Sequence, residues 1–273
     1  AGTMLAAADA VIVTALGGSY AVAAFFASTA ALTMLIEILE ASLRHLTAYV
    51  LRTQDVETGL RISRVAAFVS AMICGYAMAR PESVIAVMNP IYVSASRALQ
   101  IYALSVLLAT ITIPLAQVVS GTDRSLADRP GKRITRLALV SLTASMIYVL
   151  ALISLLTAVS QQDPIASWTT ASVLRNVVML MGVLTIADSA TRIQFLRSTA
   201  TRTALYAAIA YILSTTLTIP GYRPQFFDNV LLLLRNFVVV AVLYVAIALV
   251  IDPQIRNLVS RTLLILSNYR KRS

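Results

Sequence analysis

The sequence predicts an all-α fold, a polytopic transmembrane helix bundle of about seven spans with an eighth left open, its N-terminus outside and its C-terminus inside. Three observations predict it: a composition too apolar for water, apolar runs of bilayer length, and basic residues gathered on alternate connections.

Of 273 residues, 59% are hydrophobic and 12% charged, and the mean hydropathy is +0.82. A soluble domain carries about 25% charged residues, so hydrocarbon rather than water surrounds most of the chain. Apolar runs fall near 12–36, 65–79, 98–119, 137–159, 173–191, 204–220 and 229–251. Backbone amides find no water partner in hydrocarbon, so runs without two-residue alternation form helices rather than barrel strands.

Charge tests this map independently. The first, third and fifth connections carry Arg44, Arg52, Arg61 and Arg64, then Arg124, Arg129, Lys132, Arg133 and Arg136, then Arg192, Arg197 and Arg202. The tail adds Arg256, Arg261, Arg270, Lys271 and Arg272, while the opposite side holds Arg80, Arg97, Arg175 and Arg223. Basic residues stay on the cytoplasmic side, and aromatic belts mark the interface, here Trp168, Tyr222, Phe226 and Phe227 on the outer side. The net charge of +10 therefore points to the bilayer and its anionic head groups as partners, with nucleic acid unlikely.

The first run has no basic residue before it, unlike a secretory signal, and is taken as a retained span. Beyond it, Leu32, Ile36, Leu39, Leu43, Leu46 and Val50 keep heptad spacing. That spacing predicts a helix leaving the membrane, turning between Thr53 and Gly59, and returning through Leu60 and Ile62 as a cytoplasmic helical hairpin over 37–64. A competing reading breaks the run near Gly17-Gly18 or Ser28-Thr29 and makes 31–51 a separate span, giving eight helices. It sets Glu37, Glu40, Arg44 and His45 in the bilayer at about 2.5–3.5 kcal/mol per charged residue, which favours the hairpin.

Further along, Asn89-Pro90 marks a re-entrant turn or, more plainly, an outer loop or interfacial helix. Pro114 and Pro220 end or kink their helices. Asp163 and Asp252 precede Pro164 and Pro253, the pattern of a helix cap followed by a first-turn proline. Residues 1–252 thus form the transmembrane helical domain. Residues 253–273, with Ile255, Leu258, Val259, Ile265 and Leu266 beside their arginines, form a basic amphipathic helix at the inner surface, with Arg256, Arg261, Arg270, Lys271 and Arg272 contacting the membrane. Met72, Gly75 and Thr112-Ile113-Pro114 echo as Met179, Gly182 and Thr218-Ile219-Pro220, a faint sign of an inverted repeat.

Few residues offer chemistry. Glu37, Glu40 and Arg44 share a helical face, an ion or proton site or, more plainly, an interfacial salt bridge between Glu40 and Arg44. Asp188 pairs with Arg192 one turn on, in preference to serving a proton relay. Arg235, six residues into the last run, either snorkels to the outer head groups or lines a pore. With Asn236 it repeats the Arg175-Asn176 pair, so the outward ends of two helices present similar groups. His45 and Cys74 are each the single residue of their type, which excludes a disulfide, bis-histidine haem ligation and a multi-histidine or cysteine-rich metal site. Lysine occurs only at 132 and 271, outside the spans, which excludes a retinal Schiff base. Neither a nucleophile elbow nor a phosphate-binding loop is present.

No cofactor is expected and no enzyme is predicted. Two functional classes remain. The preferred one is a non-catalytic integral membrane subunit packing within a larger membrane assembly, with other membrane subunits or a second copy as partner. The alternative is a channel, transporter or translocation component with a polar path near Arg235 and Glu37. An intramembrane enzyme is third. Sparse intramembrane charge favours the subunit, because a polar path needs lining groups.

Overall fold

The fold is that of a computed structural model, which describes residues 2–43, 45–123, 131–159, 163–219, 221–222, 225–257 and 260. The described residues are helical with no strand: α1 (Gly2–Gly17), α2 (Ser19–Leu43), α3 (Leu46–Thr53), α4 (Val56–Ala79), α5 (Pro81–Met88), a 3-10 turn at Pro90–Ala95, α6 (Ser96–Gly121), α7 (Lys132–Val159) and α8 (Pro164–Ile186). Then follow α9 (Ser189–Phe195), a π turn at Leu196–Ala200, α10 (Thr201–Leu217) and α11 (Phe226–Ile251). Among the described residues, six helical stretches are long and apolar enough to cross a membrane: Ser19–Thr53, Val56–Ala79, Pro90–Gly121, Lys132–Ala158, Pro164–Ile186 and Phe226–Ile251. The expected sixth span is α10, whose 17 residues fall short of that length and continue out of α9 through the π turn.

The first run breaks at Gly18, whose φ of +82° is a left-handed conformation that glycine adopts without a Cβ penalty. Gly17 packs on Pro164, and Asp9, about two turns earlier, accepts a hydrogen bond from Tyr148 at 2.7 Å. So α1 lies along α7 and the chain reverses into α2. The break is one the competing reading named, but the second helix runs over Ser19–Leu43 rather than 31–51.

Residues 37–64 do form a helical turn-helix, reversing at Gln54 (φ 56°) and Asp55, whose carboxylate accepts from the Thr58 amide at 2.9 Å. It packs flat on α6 rather than standing free. Thr47 donates to the Gln117 carbonyl at 3.3 Å, and Val50 is fully buried against Gly121. The heptad residues Leu39, Leu43, Leu46 and Val50 meet Val118 there, so their spacing reports burial against α6.

Contacts at helix ends order the bundle. At one end Arg202 meets Asp252, Arg64 meets Gln254, and Arg133 meets Asp188. At the other Arg80 meets Thr218, and Gly17 meets Pro164. The described arginines of the alternate connections therefore collect at one end, as the charge map requires. Of the tail's basic residues only Arg256 is described, exposed on a helical turn. Arg261, Arg270, Lys271 and Arg272 lie outside the described residues.

Helix α6 sits centrally, with 61% of its most apolar window buried, against 17% for α8 and α11, which face outward. Pro114 lies inside α6 without ending it; Pro220 lies outside the described residues. The repeat echoes differ in surroundings, since Gly75 packs on Ala207 and Ala210 of α10 whereas Gly182 packs on Val140 of α7. At Asn89-Pro90 the backbone turns between α5 and the 3-10 turn, with Asn89 accepting from the Ile91 amide at 3.2 Å.

Candidate functional site

The fifth apolar run begins earlier than its hydropathy indicates, and that shift creates the site. Asp163 caps α8 by accepting from the Ala166 amide at 2.9 Å, so the helix starts at Pro164 rather than near 173. The Asp163-Pro164 pattern marks this start, although the polar first turns stay outside the apolar run. Thr169, Thr170 and Ser172 satisfy their hydroxyls on the carbonyls of Ile165, Ala166 and Trp168, one turn back, and so remain helical. Arg175 and Asn176 consequently lie about 17 Å inside α8 instead of at its outward end.

They line a cavity of about 520 Å³ between α2, α6 and α8. Its floor is α6, through Tyr102, Ser105, Thr112 and Gln117. One wall is α2, through Ile36 and Glu40, and the other is α8, through Ser172, Arg175, Asn176 and Met179. From Tyr102 to Gln117 the floor runs about 22 Å along α6. Glu40 and Arg175 are both exposed, and neither makes an ion pair among the described residues. Arg175 does lie 6.0 Å from the centre of the Tyr148 ring.

Two features set the groove's shape. Asn176 donates from Nδ2 to the carbonyl and hydroxyl of Ser105, both at 2.9 Å, fixing α8 to the floor. Behind Tyr102, which lines the groove, rings pack on one another: Phe25 stacks on Trp168 at 3.8 Å, and Tyr102 and Phe26 meet this pair edge-on. Trp168 is 1% exposed and donates from Nε1 to the Tyr148 hydroxyl, which itself donates to Asp9. It is thus a packing residue and not part of an interfacial belt, whereas Tyr222, Phe226 and Phe227 are exposed. At the other end of the floor, Gln117 keeps a buried side-chain oxygen without a partner among the described residues.

The residues singled out in the sequence do not converge. Glu40 lines the groove; Glu37 is exposed one turn before it and does not. Arg44 lies outside the described residues, and Glu40 makes no salt bridge to a described residue. Asp188 belongs to no span: α8 ends at Ile186, and Asp188 caps α9 by accepting from the Thr191 amide at 2.8 Å. Its ion partner is Arg133 at 4.0 Å and not Arg192, because capping turns the carboxylate back toward α7. Arg235 is exposed on α11, away from the groove and without a described partner. Asn236 is buried and donates to the Ile219 carbonyl at 3.2 Å, closing the α10–α11 connection. His45 stands between α2 and α3, and Cys74 is buried in a core cluster with Leu99 and Ala103, so neither serves the groove.

Sequence reading set Arg175 at the outward end of its helix and missed Gln117 and Asp9. The signal for Arg175 was the Asp163-Pro164 cap, which fixes the start of α8 more firmly than hydropathy does. Against known proteins, no family model, no curated protein and no solved structure matches this chain.

Proposed function

We propose that the chain is a non-catalytic integral membrane subunit whose groove between α2 and α8 receives a transmembrane helix of a partner. The observation that supports this is the pair of exposed charges, Glu40 and Arg175, on the α2 and α8 walls of one groove, neither of them ion-paired among the described residues. A charge facing hydrocarbon costs about 2.5–3.5 kcal/mol. A helix seated along the groove, with polar side chains of complementary sign inserted between the walls, removes that cost for both. Conduction draws on the same lining, next to which the Phe25–Trp168 stack is packed against Tyr102.

The test is site-specific photocrosslinking from positions 172 and 179, inside the groove, in native membranes. The reading expects one discrete adduct with another membrane protein or a second copy, lost on Arg175→Leu. Adducts to lipid alone, together with ion flux by the purified chain in liposomes, would replace it with the conduction reading.

A further inference from the structure

A second site stands at the arginine-rich end, independent of the groove. A pocket of about 270 Å³ lies between α4, α10 and the turn after α11, lined by Arg61, Arg64, Tyr206, Asp252 and Asn257. Among the described residues Asp252 is its only acidic lining residue, and that carboxylate is already engaged: Oδ2 accepts from Arg202 and Tyr206, Oδ1 from the Gln254 amide. Arg64 donates from Nη1 to Gln254, while its buried Nε–H has no acceptor among the described residues. Among the described residues Arg61 has only the exposed Glu57 as ion partner, a pair that exchanges readily with solvent. The pocket therefore holds surplus positive charge and unspent donors.

Beside it runs an apolar groove of about 460 Å³ between α2 and α4, lined by Leu35, Ile38 and Leu43 on one side and Ile62, Ala66 and Val69 on the other. Val65 lines both cavities. From Ile62 to Val69 the groove climbs α4 away from the arginines, toward the middle of the span. Charge at the helix end and an apolar channel leading inward match one kind of ligand, an anionic amphiphile lying parallel to the helices. Basic pockets between transmembrane helices take phosphate head groups for this reason.

We propose that this composite site binds one anionic phospholipid, its phosphate on Arg61 and Arg64 and an acyl chain in the α2–α4 groove. Inorganic phosphate would use the pocket alone and leave the groove without a role.

The experiment is native mass spectrometry of the full chain released from mixed micelles holding equal phosphatidylglycerol and phosphatidylcholine. The chain is expected to retain phosphatidylglycerol about tenfold over phosphatidylcholine, Arg64→Gln to abolish that preference, and Arg136→Gln to leave it. Millimolar inorganic phosphate should neither displace the lipid nor raise the melting temperature. Equal retention of both lipids overturns the proposal, as does an undiminished preference in Arg64→Gln. Displacement of the lipid by inorganic phosphate assigns a phosphate site instead and overturns it too. Should Arg64→Gln fail to fold, Ala66→Phe carries the test: it keeps the arginines and fills the groove, and undiminished phosphatidylglycerol retention in it is fatal to the proposal.

Discussion

Arg202 donates to Asp252 Oδ2 at 2.6 Å, tying the start of α10 to the end of α11. Tyr206, one turn on, donates to the same oxygen at 2.5 Å, and the Asp252 side chain is only 5% exposed. Charge-assisted hydrogen bonds are worth about 1.5–3 kcal/mol. Asp252→Asn removes the charge while Arg202, 35% exposed, keeps access to water, so the loss should stay within that range. Thermal unfolding in detergent should show a lowered midpoint with helicity intact at room temperature.

The same carboxylate predicts a pH dependence. Burial by itself raises Asp252, but the hydrogen bonds from Tyr206 and the Gln254 amide and the charge of Arg202 outweigh it and hold the group below its ordinary 3.8. Asp188 is likewise lowered, chiefly by the Thr191 amide and further by Arg133. A depressed carboxyl pKa contributes stability that is present above the unfolded value and lost as pH falls through the folded one. Unfolding midpoints should be flat from about pH 7 to 5 and fall below about 4. In Asp252→Asn the fall should be shallower, and an equal fall would place the acid sensitivity elsewhere.

Arg80 performs the corresponding task at the opposite end. Its Nε donates to Thr218 Oγ1 at 2.7 Å and the Ser214 carbonyl at 3.2 Å, and Nη2 donates to the carbonyls of Thr215 and Thr218, both at 2.9 Å. The last carbonyls of a helix have no intrahelical partner, and α10 takes them from α4. Arg80→Ala should cost about 1–3 kcal/mol and speed amide exchange over 214–218. Arg80→Lys should not restore protection, because an ammonium cannot reproduce the planar fork.

Close approach of α4 and α10 rests on Gly75. A Cβ there would lie 2.6 Å from Ala210 Cβ and 2.8 Å from the Ala207 carbonyl oxygen, both parts of rigid helix. Gly75→Ala should therefore destabilise by about 1–3 kcal/mol, read as a lowered thermal midpoint. Gly18→Ala differs in kind, having open space but φ +82°, and should act through backbone strain at the α1–α2 reversal.

Fold class was legible because it depends on summed properties: apolar length and the sidedness of arginine. Helix ends were less so. Ser and Thr read as polar in a hydropathy window, yet in α8 each bonds its own helix, and Arg175 lies about three turns into α8 rather than at its outward end as a result. The hairpin at 37–64 was legible as two helices but not in its placement, since heptad spacing reports a buried stripe without naming what covers it. Asp9 gave no signal, because its partner Tyr148 is 139 residues away. The groove was illegible for the same reason: Glu40, Gln117 and Arg175 come from three helices, and no local pattern links them.

Trp168 supplies the decisive reading of that groove, being the only tryptophan. It is 1% exposed, stacked on Phe25 and bonded to Tyr148. Burial of the ring keeps aqueous iodide from the indole, whichever face of a liposome the ion is added to. Emission from the reconstituted chain should therefore be unquenched, and Phe25→Ala, which removes the stacking ring, should admit quencher from the groove side. Tyr148→Phe should leave access unchanged but shift the emission, since the indole N–H loses its acceptor while Phe25 still covers the ring. Iodide quenching of the wild-type chain would mean that water already passes the aromatic stack. The groove would then be a path through the bilayer and not a seat for a partner helix.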